Sequence, residues 1–82
     1  MDTVKEFTEK MILGLVKNPE IVKVQDFTDD DGTIILDIII HNDDMGGVIG
    51  KSGKTIKAIR TLVQACAYKK HINKIKVNVD SI

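Results

Sequence analysis

The stretch Val48-Ile49-Gly50-Lys51-Ser52-Gly53-Lys54-Thr55-Ile56 decides how the rest of this chain is read. Two glycines three apart permit a tight turn in which no side chain shields the backbone. A chain of phosphates can approach such a turn closely. The amides at the start of a following helix face outward, and the helix dipole favours anions there. Lys51 and Lys54 add positive charge. On its own the G-x-x-G pattern is common, and a plain helix–helix turn would also account for it. Two nucleotide-binding readings fail on spacing. A phosphate loop needs four residues between its first glycine and Gly-Lys-Ser, whereas only Gly47, Val48 and Ile49 separate Gly46 from Gly50. A dinucleotide fingerprint needs G-x-G, which the chain lacks.

Upstream of the loop, Asn42-Asp43-Asp44 precedes Met45 to Ile49, so Asp44 is positioned to cap a short helix. Before that, Thr33 to Ile40 reads as a strand, with Ile34, Leu36, Ile38 and Ile40 on one face. Ile35 and Ile39 make the other face partly apolar, which predicts a central strand. Asp29-Asp30-Asp31-Gly32 reads as a turn. It resembles the start of a calcium loop, but the later ligands are missing. Ile21 to Phe27 is β-rich and predicts the other arm of an antiparallel hairpin. Thr3-Val4-Lys5-Glu6 has the form of a capping box. Val4, Phe7, Met11, Ile12 and Leu15 then recur at helical spacing, which predicts a helix over residues 3–17 ended by Asn18-Pro19.

Downstream, Lys54 to about Lys70 predicts a long helix whose core stripe is Ile56, Ile59, Val63, Cys66 and Ala67. Lys57 and Arg60 lie on adjacent turns near its start, where they either border a groove or are ordinary solvated charges. Lys74 to Asp80 alternates cleanly and predicts a last strand with its odd positions inward. The element order is helix, strand, strand, short helix, long helix, strand.

In this context the loop gains weight. An apolar pair, Val48-Ile49, precedes G-x-x-G, and Ile56 follows three residues after Gly53. Together with the element order, this resembles a type II KH domain over the whole of residues 1–82. The resemblance implies an α+β fold in the order α-β-β-α-α-β, with a three-stranded mixed sheet and three helices on one face. It implies a non-enzymatic binder of single-stranded RNA whose loop clamps about four nucleotides by their backbone. The residues it assigns to RNA are Val48, Ile49, Gly50, Lys51, Ser52, Gly53, Lys54, Ile56, Lys57 and Arg60, with Ile49 and Ile56 shared between groove and core and Ile59 mostly core.

Asp44-Met45-Gly46 leading into Val48-Ile49-Gly50, and Ala58-Ile59-Arg60 followed by Leu62-Val63, further resemble the small bacterial RNA-binding proteins of the KhpA family. Gly47 stands where that family often has a basic residue, which weakens the expected grip. The family resemblance implies an RNA chaperone or post-transcriptional regulator. It also implies a homodimer, or a heterodimer with a larger KH protein of the KhpB type. The off-core positions Ala58, Leu62 and Ala65, with Tyr68 beside them, are the expected contact face; the rim of the core is the other reading. Two other functions fit the same fold: an interaction module with weak RNA contact, and a single-stranded DNA binder.

Composition sets the bounds. The chain has 82 residues, 43% hydrophobic and 29% charged, and net charge zero. A chain of this size buries only about 60–65% of its unfolded surface, so one domain is expected over 1–82. The charge is unevenly spread. Residues 1–40 hold four lysines and nine carboxylates; residues 41–82 hold eight basic residues and three carboxylates. A basic face is therefore compatible with a neutral total. No apolar run approaches a membrane span. The start, Met1-Asp2-Thr3-Val4-Lys5-Glu6, lacks a basic region and cleavage site, so a cytoplasmic protein is expected. Cys66 is the single cysteine and reads as a small core residue. His41 and His71 have no carboxylate or nucleophile at a readable spacing, and no catalytic constellation, metal site or cofactor is expected. The aromatics, Phe7, Phe27 and Tyr68, lie away from the loop in sequence, so bases are expected to rest on aliphatic residues.

Overall fold

Six regular elements and three short 3-10 turns form the computed structural model, which describes residues 3–82. Met1 and Asp2, which opened the expected acidic start, lie outside the described residues. The first helix, α1 (Val4–Leu13), begins as the sequence predicts: Thr3 is its N-cap, and its hydroxyl accepts the Glu6 amide at 3.1 Å. It ends four residues before the predicted position. The amides of Lys17 and Asn18 donate to the Asp44 carboxylate at 2.9 and 3.1 Å rather than to carbonyls of the helix. Pro19–Ile21 then forms a 3-10 turn, with proline at its favoured first position. That turn delays the first strand, β1 (Lys23–Thr28), by two residues.

Asp29 to Gly32 forms the predicted turn. Gly32 adopts φ 88°, and Asp29 Oδ1 accepts the amides of Asp31 and Thr33 at 3.1 and 3.0 Å. The Asp29 and Asp31 carboxylates are thus used to fold the turn. β2 (Ile34–Ile40) pairs with β1 antiparallel and with the last strand, β3 (Ile75–Ser81), in parallel. The order β1-β2-β3 makes β2 central, as its two-sided apolar character predicts. β2 and β3 are joined by α2 (Met45–Ile49), a 3-10 turn over Lys51–Gly53, and α3 (Lys54–Lys69).

All three helices pack on one face of the sheet. Leu36, Ile38 and Ile40 of β2 bury there with Val24 and Val77, against Val4, Ile12, Val48, Ile56, Ile59, Val63 and Ala67. Cys66 packs, half-buried, at the edge of this core. The opposite face is open. Its central residue, Asp37, has one carboxylate oxygen shielded from solvent. That shielding, and then Asp80 beside it, push the Asp37 carboxyl above its ordinary range. The Asp37 and Asp80 carboxylates make this part of the open face ill suited to phosphate. Among the described residues no helix is long and apolar enough to cross a membrane.

Candidate nucleic-acid interface

The glycine turn owes its shape to three residues at positive φ. Gly50 has φ 76° and ψ 171°, Ser52 φ 56° and Gly53 φ 73°. Gly50 closes α2, its amide donating to the Gly46 carbonyl at 2.9 Å, and its own carbonyl accepts the Gly53 amide at 3.1 Å. The first amides of such a turn have no partner within it. Lys51 and Ser52 are exposed at its tip and Lys54 is exposed at the start of α3.

The structure sorts the sequence-assigned residues into three groups. Lys51, Ser52, Lys54 and Lys57 are exposed around the turn, with Gly50, Gly53 and Ile49 half-buried beneath them. Val48 and Ile56 are in the core, 0% and 5% exposed, so they hold the loop from below and present little or no side chain to a ligand. Both belong to the core: Val48 is the buried residue of α2, which packs on α3, and Ile56 begins the buried stripe of α3. Ile59, 3% exposed, is core as expected. Arg60 is exposed but lies away from the loop, its guanidinium reaching the Val77 carbonyl of β3 at 3.5 Å. It lines a 260 Å³ cleft between α3 and β3 together with Gln64 and residues 75–78. Because β3 is an edge strand, backbone groups on its outer side are open along that cleft. Ala58, Leu62 and Ala65 are exposed on the outer side of α3, Leu62 to 50%.

The sequence reading missed what sets the loop's position. Asp44 does not cap α2 with its side chain. Its buried carboxylate instead accepts three bonds from the connection after α1: the Lys17 amide, the Asn18 amide, and the Asn18 side chain at 3.1 Å. The Lys17 amide, followed by Asn18, holds the Asp44 carboxyl below its ordinary value of 3.8. No local pattern could reveal contacts 26 and 27 residues apart. His41, read as having no carboxylate or nucleophile at a readable spacing, accepts the Asp43 amide on Nδ1 at 3.0 Å, caps the turn before α2, and has the Asp43 carboxylate 3.6 Å away. A lowered carboxyl stabilises the fold above its unfolded pKa, and that contribution is lost as pH falls through the folded value. Asp44→Ala should therefore lower the melting temperature by roughly 10 °C at pH 7, because it leaves three donors without their acceptor. The gap between wild type and variant should shrink as pH falls below the ordinary value. Thermal melts across pH check both; a gap independent of pH contradicts the ionic role.

A hollow of 660 Å³ lies elsewhere. Val4, Ile34, Leu36, Ile72 and Ile75 give it an apolar lining, and Glu6, Glu9 and Asp26 supply three carboxylates. That charge disfavours phosphate despite Lys5 and Lys70 beside them. Among the described residues no three His, Cys, Asp or Glu side chains converge as metal ligands.

A family model described as KhpA/KhpB, KH domain, matches residues 5–80. The chain belongs to this family. Similar proteins named RNA-binding protein KhpA come from several bacteria. That of Thermotoga maritima is 44% identical over 61 residues, covering 74% of this chain and 80% of its own. That of Halalkalibacterium halodurans is 40% identical over 78 residues, 95% of this chain and 97% of its own. That of Clostridium perfringens is 43% identical over 67 residues, 82% of this chain and 88% of its own. No solved structure gives a significant match. The KH fold deduced from the loop and the element order is thus the fold of the family. Gly47 is exposed, and a Cβ there would meet only the Leu15 carbonyl oxygen, at 3.8 Å. A side chain would fit, so its absence is not imposed by packing.

Proposed function

We propose that this protein binds single-stranded RNA, without catalysis, by clamping about four nucleotides between the Gly50–Gly53 turn and the adjoining α3–β3 cleft. The observation that carries this reading is the exposed glycine turn flanked by Lys51, Lys54 and Lys57, one helical turn above Arg60. The names of the relatives support RNA as the ligand. Phosphates approach the turn where no side chain intervenes, and the lysines supply charge. Ile49 and the open edge of β3 are left for the bases. With no aromatic side chain at the turn, the grip is modest and tolerant of sequence, as suits an RNA chaperone or post-transcriptional regulator in the cytoplasm. The exposed strip of Ala58, Leu62 and Ala65 is the surface on which a homodimer, or a pair with a larger KH protein of the KhpB type, would rest.

Salt dependence tests the backbone grip. With two to four phosphate contacts, the slope of log affinity against log salt should be about −1.5 to −3 for a single strand. Gel shifts over a salt series measure it. A slope near zero, or a preference for duplex over single-stranded RNA of equal length, contradicts the proposal.

A further inference from the structure

The exposed side of α3 does not end at the loop. Gly53, Lys57, Gln64 and Tyr68 succeed one another at spacings of four, seven and four residues, so they form one continuous stripe down the helix. Arg60 borders it on the β3 side. At about 1.5 Å per residue, this stripe runs some 22 Å from Gly53 to Tyr68. At its far end is a hollow of 440 Å³ lined by Tyr68, Lys69, His71 and Asn73. Those four residues include one aromatic ring and two basic groups, and no carboxylate. Tyr68 is 75% exposed, an unusual cost for an aromatic side chain. Lys70 and Lys74, both exposed, extend the positive charge around the helix end.

The backbone holds this arrangement in place. α3 ends in a Schellman motif: the Ile72 amide donates to the Ala67 carbonyl at 2.9 Å and the His71 amide to the Tyr68 carbonyl at 3.0 Å. The position that usually takes glycine is His71, at φ 63°. A side chain is therefore kept where glycine would be less strained, and it is one that lines the hollow.

We infer that Tyr68, with Lys69, His71 and Asn73, forms a second RNA subsite, where a base stacks on the Tyr68 ring and the neighbouring basic groups meet phosphate. A single strand leaving the glycine turn would follow Lys57, Arg60 and Gln64 along α3 to reach it. The inference rests on the proposed loop grip and extends the footprint beyond four nucleotides. Base stacking on an aromatic ring is indifferent to sequence and adds affinity for longer strands only.

Tyr68 is the only tyrosine in a chain without tryptophan, so its fluorescence reports the site directly. The full-length protein is titrated with uridine oligonucleotides of about four and about ten nucleotides. The longer strand should quench Tyr68 and the shorter should not. Tyr68→Ala should weaken the longer strand roughly tenfold and leave the shorter within about twofold, without unfolding, because the ring is exposed. His71→Gly should weaken the longer strand with a melting temperature equal to or above wild type. If both oligonucleotides bind but Tyr68→Ala is neutral and the fluorescence is unmoved, this subsite is overturned and the loop grip stands. If neither binds, both fail together. If Tyr68→Ala abolishes self-association while RNA affinity holds, the surface is a protein contact and the inference is wrong.

Discussion

Replacing Lys51 and Ser52 together by aspartate should lower affinity for a short single-stranded RNA by roughly a hundredfold or more, with circular dichroism and melting temperature unchanged. The two side chains stand exposed at the tip of the turn and pack against nothing that the fold requires. Both glycines remain, so the turn keeps its path. Ser52 sits at φ 56°, a region aspartate tolerates better than most residues. What changes is charge: one positive group is removed and two negative groups are set where phosphate would lie. Gel shifts beside thermal melts read the result. Affinity within twofold of wild type, in a folded variant, removes the turn from the binding site.

Gly50→Ala and Gly53→Ala should differ sharply, although the motif treats the two glycines alike. Gly50 at φ 76° and ψ 171° occupies a region that is essentially glycine's alone. A Cβ there would also stand 2.7 Å from Thr55 Cβ and 2.8 Å from the Thr55 backbone nitrogen, which cannot move without disturbing the first turn of α3. We expect a loss of about 3 kcal/mol or more, enough to lower the melting temperature by roughly 10–20 °C. Gly53, at φ 73° and ψ 15°, is left-handed but open, with Ile56 Cγ2 the nearest atom at 4.0 Å. Its substitution should cost only about 1–2 kcal/mol. Thermal or denaturant melts of the two variants compare them; equal losses contradict the steric account of Gly50.

The order of elements was legible because the apolar period changes from two to near 3.6 at each boundary. The central place of β2 followed from Ile35 and Ile39 on its second face. The stripe Ile56, Ile59, Val63, Cys66 and Ala67 predicted the buried side of α3, except that Cys66 is only half-buried. What stayed hidden depended on distant partners. The end of α1 is set by Asp44, far along the chain, so its helical pattern ran on past the true end. Val48 sits in a motif that suggests contact with a ligand, yet on the five-residue α2, which packs on α3, it is buried completely. Arg60 has helical spacing toward the loop, but β3 lies beside it and takes its guanidinium. The positive φ of His71 cannot be foreseen in a sequence that offers no glycine there.

The central claim is that the Gly50–Gly53 turn and the start of α3 hold single-stranded RNA. Its most direct test is the backbone amide spectrum of the isotopically labelled protein, recorded during titration with an oligonucleotide of about four nucleotides. The account predicts that the largest shifts fall on Ile49 to Lys54 and Lys57, with smaller ones on Arg60 and residues 76–78 of β3. Shifts confined to the open sheet face or to α1, with the glycine turn unmoved at saturation, would contradict it.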